Sequence, residues 1–275
     1  MRFGVLGKAP GCLKPQTSNL KPDMTVAQAH FEYVLRMGDN ALILGQRLSE
    51  WCGHGPILEQ DIAITNIALD QVGQARVLLA YAGKLEGKGR SEDDLAYLRD
   101  AWDFRNVLLV EQPNEDWAYT IVRQFLFDSY NFFLHEALLH SKDSELAGMA
   151  EKAIKEVQYH LRYSSEWMIR LGDGTETSHQ KMQKALNELW MFSGELTRGD
   201  DVDRIMHQEG IGADLSQITA LRNERTSYVL EQATLVQPEN DWMQEGGKQG
   251  RHTEHLGYIL TELQFMQRAY PNMKW

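Results

Sequence analysis

From Thr25 onward the apolar positions of the chain recur with a helical period, and stretches that alternate apolar and polar residues are few. Residues 26–51 repeat apolar or small side chains at Phe31, Val34, Leu35, Gly38, Ala41, Leu42, Gly45 and Leu48, a stripe wide enough to face a bundle core. The run CGHGP at 52–56 stops that helix, and Pro56 suits the first turn of the next. Residues 57–85 are apolar on nearly every side, at Ile62, Ile64, Ile67, Leu69, Val72, Val77, Leu78 and Leu79, which predicts a central helix. Gly87 and Gly89 end it. A charged stretch with a short helix at 91–102 leads to a third long helix at 117–139, and a turn at 142–144 leads to a fourth at 145–171. Further helices are expected at 178–196, 200–209, 214–236 and 252–270, the last behind the glycine-rich GGKQG.

Four long helices in two short-loop pairs, with a longer crossover between the pairs, match a ferritin-like bundle better than an up-down bundle. The predicted fold is therefore all-α, a ferritin-like four-helix bundle with additional C-terminal helices. No Pro/Ser-rich linker divides residues 25–275, which read as one helical domain. Residues 1–24 stand apart, because MRFGVLGKAPGCLKPQTSNLKPD is basic and punctuated by Gly and Pro. Its apolar piece is too short for a signal peptide, so it reads as a disordered extension or an early start, with Met24 as the alternative first residue.

Charge and cysteine usage narrow the partners. Acidic residues outnumber basic ones 39 to 28, and the net charge of −11 offers no attraction to phosphate backbones, so no nucleic acid is expected. No apolar run is long enough to span a bilayer, so no membrane is expected either. Cys12 and Cys52 make no disulfide framework, which fits a reducing cytoplasm. A chain of 275 residues buries a sizeable core without disulfides or metal, so metal is optional for folding.

Candidate chemistry centres on ALDQVGQAR at 68–76. Gln71 and Gln74 stand one helical turn apart, the spacing at which Glu-x-x-His presents a carboxylate and an imidazole to one metal ion. A carboxylate di-iron site takes one Glu or Asp from each of two helices and a Glu-x-x-His from each of the other two, because hard iron ions share bridging carboxylates. Both positions here are amides. In KEVQYHLR of the fourth helix, His160 stands three residues after Val157 and four after Glu156, so a Glu156–His160 ligand pair stays open by periodicity. Asp128 lies in the apolar run FLFDSY of the third helix and needs a partner there, as a ligand or in a structural contact. In HTEHLG, His252 and His255 stand one turn apart; a helix start is favoured over zinc, since no third ligand lies nearby. No Gly-x-Ser-x-Gly motif occurs, and GGKQG lacks the P-loop order.

The stretches MGDNALILGQRLSEWCGHGP, IALDQVGQAR, LLVEQPNEDWA, KAIKEVQYHLR, GDGT followed by KMQKALNELW, and GGKQGRHTEHLG strongly resemble the C-subunit family of bacterial phenylacetyl-CoA epoxidase, the ring-oxygenating complex of phenylacetate degradation. The resemblance runs from about Asp39 to Trp275. Its catalytic relative, the A subunit, carries a di-iron site. Set beside that relative's QDEAGH and KEESFH helices, the resemblance puts Gln71 on a Glu ligand, Gln74 on a His ligand and Val157 on the second Glu. It keeps His160, and Asp128 matches the third-helix carboxylate. The first-helix position is Leu44 or Asp39. What this implies is a non-catalytic subunit with a vestigial site and no cofactor of its own. It would pair with and stabilise the A subunit, alongside the other subunits including the reductase, while the partner's iron pair epoxidises the CoA-activated ring. Two rival readings use other residues: an active metal-dependent oxidoreductase built on Asp128, Glu156 and His160, and a zinc hydrolase built on His252 and His255.

Overall fold

The computed structural model describes residues 24–239, 242–271 and 273, so the expectation for the N-terminal extension lies outside the described residues except at Met24. Among the described residues the chain forms nine α-helices and no strand. Four long helices make the bundle: α1 (Val26–Ser49), α2 (Leu58–Glu86), α4 (Trp117–Leu138) and α5 (Ser144–Gly172). The short α3 (Glu92–Tyr97) lies in the crossover, and α6 (Glu176–Leu189), α7 (Asp201–Glu209), α8 (Leu215–Gln232) and α9 (Glu254–Ala269) follow the bundle. This is the all-α, ferritin-like arrangement expected from the sequence.

Local chemistry sets the helix ends. Thr25 and Gln28 form a reciprocal capping box at the start of α1, with the Thr25 hydroxyl accepting from Gln28 N at 3.2 Å and Gln28 Oε1 accepting from Thr25 N at 2.9 Å. Gly87 closes α2 in the left-handed region at φ +69°, its N–H returning to Gly83 O. α1 and α2 approach closely because α1 has glycine where the helices meet. A Cβ on Gly38 would stand 2.8 Å from Leu79 Cδ2, and one on Gly45 would stand 3.1 Å from Val72 Cγ2.

Three expectations need correction. Pro56 is not in the first turn of α2, because Ile57 is the N-cap and the proline precedes it. The segment expected as one helix over 178–196 ends at Leu189 and continues as two 3-10 turns, Trp190–Phe192 and Gly194–Leu196. There Met243 packs on Gly194, where a Cβ would come 2.6 Å from Met243 Cγ. Finally, α2 is not the central helix. α4 takes that place, with α5, α6 and α8 all against it. α2 buries Ile64, Ile67, Leu78 and Leu79 but leaves Ile62, Leu69, Val72 and Val77 exposed. Its all-round apolar character predicted burial on every side, and the outer face is exposed instead.

Candidate functional site

The middle of the bundle is organised by polar side chains that meet in pairs across α2 and α5. Gln74 Nε2 donates to Glu156 Oε2 at 3.0 Å, and one turn away His160 Nε2 lies 2.9 Å from Asp70 Oδ2. Residues 70 and 74 ascend α2 while 160 and 156 descend α5, so the helices run antiparallel in fixed register. Further along the same seam the Tyr163 hydroxyl donates to Gln60 Oε1 at 2.6 Å, and the Tyr81 hydroxyl donates to Asp143 Oδ2 at 2.5 Å.

The five positions singled out in the sequence divide among different surroundings. Gln71 is fully buried, and among the described residues neither its Oε1 nor its Nε2 has a hydrogen-bond partner. Gln71 and Gln74 border a small cavity of about 10 Å³ whose other polar lining is Asn40, Asn131, His135 and Tyr130, among apolar side chains such as Leu78 and Phe127. That space is about the size of one water molecule, and its polar lining is amides, an imidazole and a phenol. Burial holds the His135 imidazole below its ordinary pKa. Val157 is buried.

Asp128 is buried and accepts from Gln124 Nε2 at 2.7 Å and from Ser164 Oγ at 2.8 Å. Burial pushes its pKa up to about 6, against the opposing pull of His160 and of those two hydrogen bonds. So Asp128 is satisfied by neutral donors, His160 turns to Asp70, and Gln74 turns to Glu156. Of the five, Gln71 and Gln74 share a cavity wall. Among the described residues, no three His, Cys, Asp or Glu side chains converge as a metal-holding group. Asp128, Glu156 and His160 each face a different partner: Gln124 and Ser164, Gln74, and Asp70.

Both first-helix alternatives are buried. Asp39 is fully buried and ion-paired with Arg99, whose Nη1 donates to Oδ2 at 3.0 Å, and it also accepts from Arg105 N at 2.8 Å. Leu44 is buried and has no donor atom. At the C-terminal motif, His252 Nδ1 lies 3.0 Å from Glu111 Oε2 and Nε2 lies 3.0 Å from Phe104 O, so both ring nitrogens are engaged. Thr253 N donates to Glu111 Oε1 at 2.6 Å, next to the first turn of α9. The segment anchors a helix start.

Two residues that matter here, Asp70 and Glu111, were not among those the sequence singled out. Asp70 had a readable signal: Asp70–Gln74 and Glu156–His160 are both i, i+4 pairs, spaced to meet across an antiparallel seam.

Residues 16–275 match the family model described as phenylacetic acid catabolic protein. The chain belongs to that family. It is 49% identical over 243 residues to the C subunit of 1,2-phenylacetyl-CoA epoxidase from Escherichia coli (strain K12), an alignment covering 88% of this chain and 98% of that relative. The phenylacetic acid catabolic family thus accounts for the resemblance carried by ALDQVGQAR and KEVQYHLR. Among the described residues no helix is long and apolar enough to cross a membrane.

Proposed function

We propose that this chain is a structural, non-catalytic subunit of a cytoplasmic phenylacetyl-CoA epoxidase. It pairs with and stabilises the di-iron A subunit and holds no cofactor of its own. The observation that carries this reading is the donor set at the bundle centre. A carboxylate-bridged iron pair takes four carboxylates and two imidazoles. At the corresponding positions this chain has the amides of Gln71 and Gln74, the isopropyl group of Val157, one carboxylate at Asp128 and one imidazole at His160. Asp128 is held by neutral donors and His160 by Asp70. These residues do not fit an iron pair, and no reaction step is assigned to them.

Two of them, Gln74 and His160, instead join α2 to α5. Gln74–Glu156 and Asp70–His160 link the two helices by direct hydrogen bonds at the level where bridging metal would join them in a catalytic relative. Co-expression with an A-type subunit, followed by size measurement, tests the reading: a complex of both chains is the expected result, and separate migration at micromolar concentration overturns it.

A further inference from the structure

Among the described residues five arginines are buried: Arg36, Arg47, Arg99, Arg123 and Arg222. Four of them have acceptors. Arg36 pairs with Asp200, Arg47 with Glu50 and Arg99 with Asp39, while Arg123 donates to Gln112 O and Asn114 Oδ1. Arg222, on the inward face of α8, is the exception. Its Nε and Nη2 are enclosed with no hydrogen-bond partner among the described residues. Burial alone pulls its pKa down to about 10, and no neighbouring charge adds to that shift.

Nε and Nη2 form one edge of the guanidinium, the fork that takes two oxygens of a carboxylate or phosphate in parallel N–H···O bonds. About one turn further along α8, Arg225 Nε and Thr226 Oγ1 are also buried without a partner among the described residues. Positions 222, 225 and 226 are i, i+3 and i+4, so they share one face of the helix. That face is turned to α5, where Arg225 Nη2 donates to Ser165 Oγ at 3.2 Å and Ser165 Oγ donates to Leu161 O at 2.6 Å. The unpaired set is three guanidinium nitrogens and one hydroxyl. It is rich in donors and has no carboxylate to meet them.

We infer that this face of α8 is a binding site for one small oxyanion, a carboxylate or a phosphate group, taken by the Nε–Nη2 fork of Arg222 with Arg225 and Thr226 as further donors. A charge removed from water is costly unless it is paired and hydrogen-bonded, and a bound oxyanion supplies both at once. The donor set repels a cation and leaves a neutral ligand with nothing to balance the charge. At long range the net charge of −11 opposes polyanions, so the site suits a single small anion.

The fork is enclosed, and the anion enters as α8 eases outward. The helix is built for that. Of the side chains it buries, only Ile218, Val229 and Leu230 are apolar, whereas α4 is buried along most of its length. Elements with few buried apolar contacts are the ones that open locally.

The test follows the thermal midpoint of the full chain, and the heat of titration, as sodium phosphate or sodium acetate replaces sodium chloride at constant ionic strength. Wild type is compared with Arg222→Met, Arg222→Lys and, as a control for lost charge, the exposed Lys184→Met. Binding to the folded state alone should raise the wild-type midpoint along a saturating curve. Lys184→Met should follow wild type. Arg222→Met should not respond, and Arg222→Lys, which keeps the charge without the fork, should bind about tenfold more weakly or worse. Should Arg222→Met fail to fold, Arg222→Lys carries the comparison. Saturation by phosphate alone assigns a phosphate group, and saturation by acetate alone assigns a carboxylate. An equal rise in wild type and both Arg222 variants is the general effect of an excluded salt and overturns the site. Saturation only above about 100 mM marks an adventitious ion only and overturns it too. No rise and no heat with either anion does the same.

Discussion

Asp70 on α2 and His160 on α5 meet at 2.9 Å, the one polar contact of a fully buried imidazole whose Nδ1 has no partner. Removing the carboxylate leaves the ring with both nitrogens unpaired inside the bundle. Asp70→Ala should therefore cost about 1–3 kcal/mol of unfolding free energy, the range for a buried polar group stripped of its partner. Chemical denaturation checks this, and a variant as stable as wild type would mean that the seam does not depend on the pair.

Gln71 presents the opposite case. Its amide is fully buried and has no protein partner among the described residues, so the folded state bears the desolvation of two polar atoms. Gln71→Met keeps the side chain's length and removes that cost. It should raise unfolding free energy by about 1–2 kcal/mol. A loss of stability in the same denaturation experiment would show that the amide has a partner in the folded protein.

Asp128 makes stability depend on pH in a definite direction. Its folded pKa of about 6 lies above the ordinary 3.8, so between those values the folded chain keeps a proton that the unfolded chain has released. The contribution is fully present below pH 3.8 and is lost as pH rises through about 6. Asp128→Asn lacks it. The stability of wild type relative to the variant should fall by up to about 3 kcal/mol between roughly pH 4 and pH 7. His135 titrates in both proteins and cancels in the difference. A difference that is flat with pH would contradict the burial assigned to this carboxylate.

The long helices were legible because their apolar period is sustained and their ends carry local signals, such as Gly87 in the left-handed region and the capping chemistry of Thr25. The break after Leu189 was not legible, since Met243 on Gly194 joins residues far apart in the chain. The same limit applies at the bundle centre. Periodicity puts Gln71 and Gln74 inside, but the partners of Gln74, His160 and His252 lie 82, 90 and 141 residues away along the chain. The outer face of α2 was visible as apolar and misread as central, because a hydrophobic pattern records apolar character and not the exposure that tertiary packing leaves.

Iron content tests the vestigial site most directly. The chain, purified alone from iron-supplemented cells and then incubated anaerobically with ferrous iron and desalted, should retain far less than one iron per molecule by elemental analysis. Retention of about two irons per chain, the number a carboxylate-bridged pair holds, would contradict a bundle centre built from Gln71, Gln74 and Val157 in place of metal ligands.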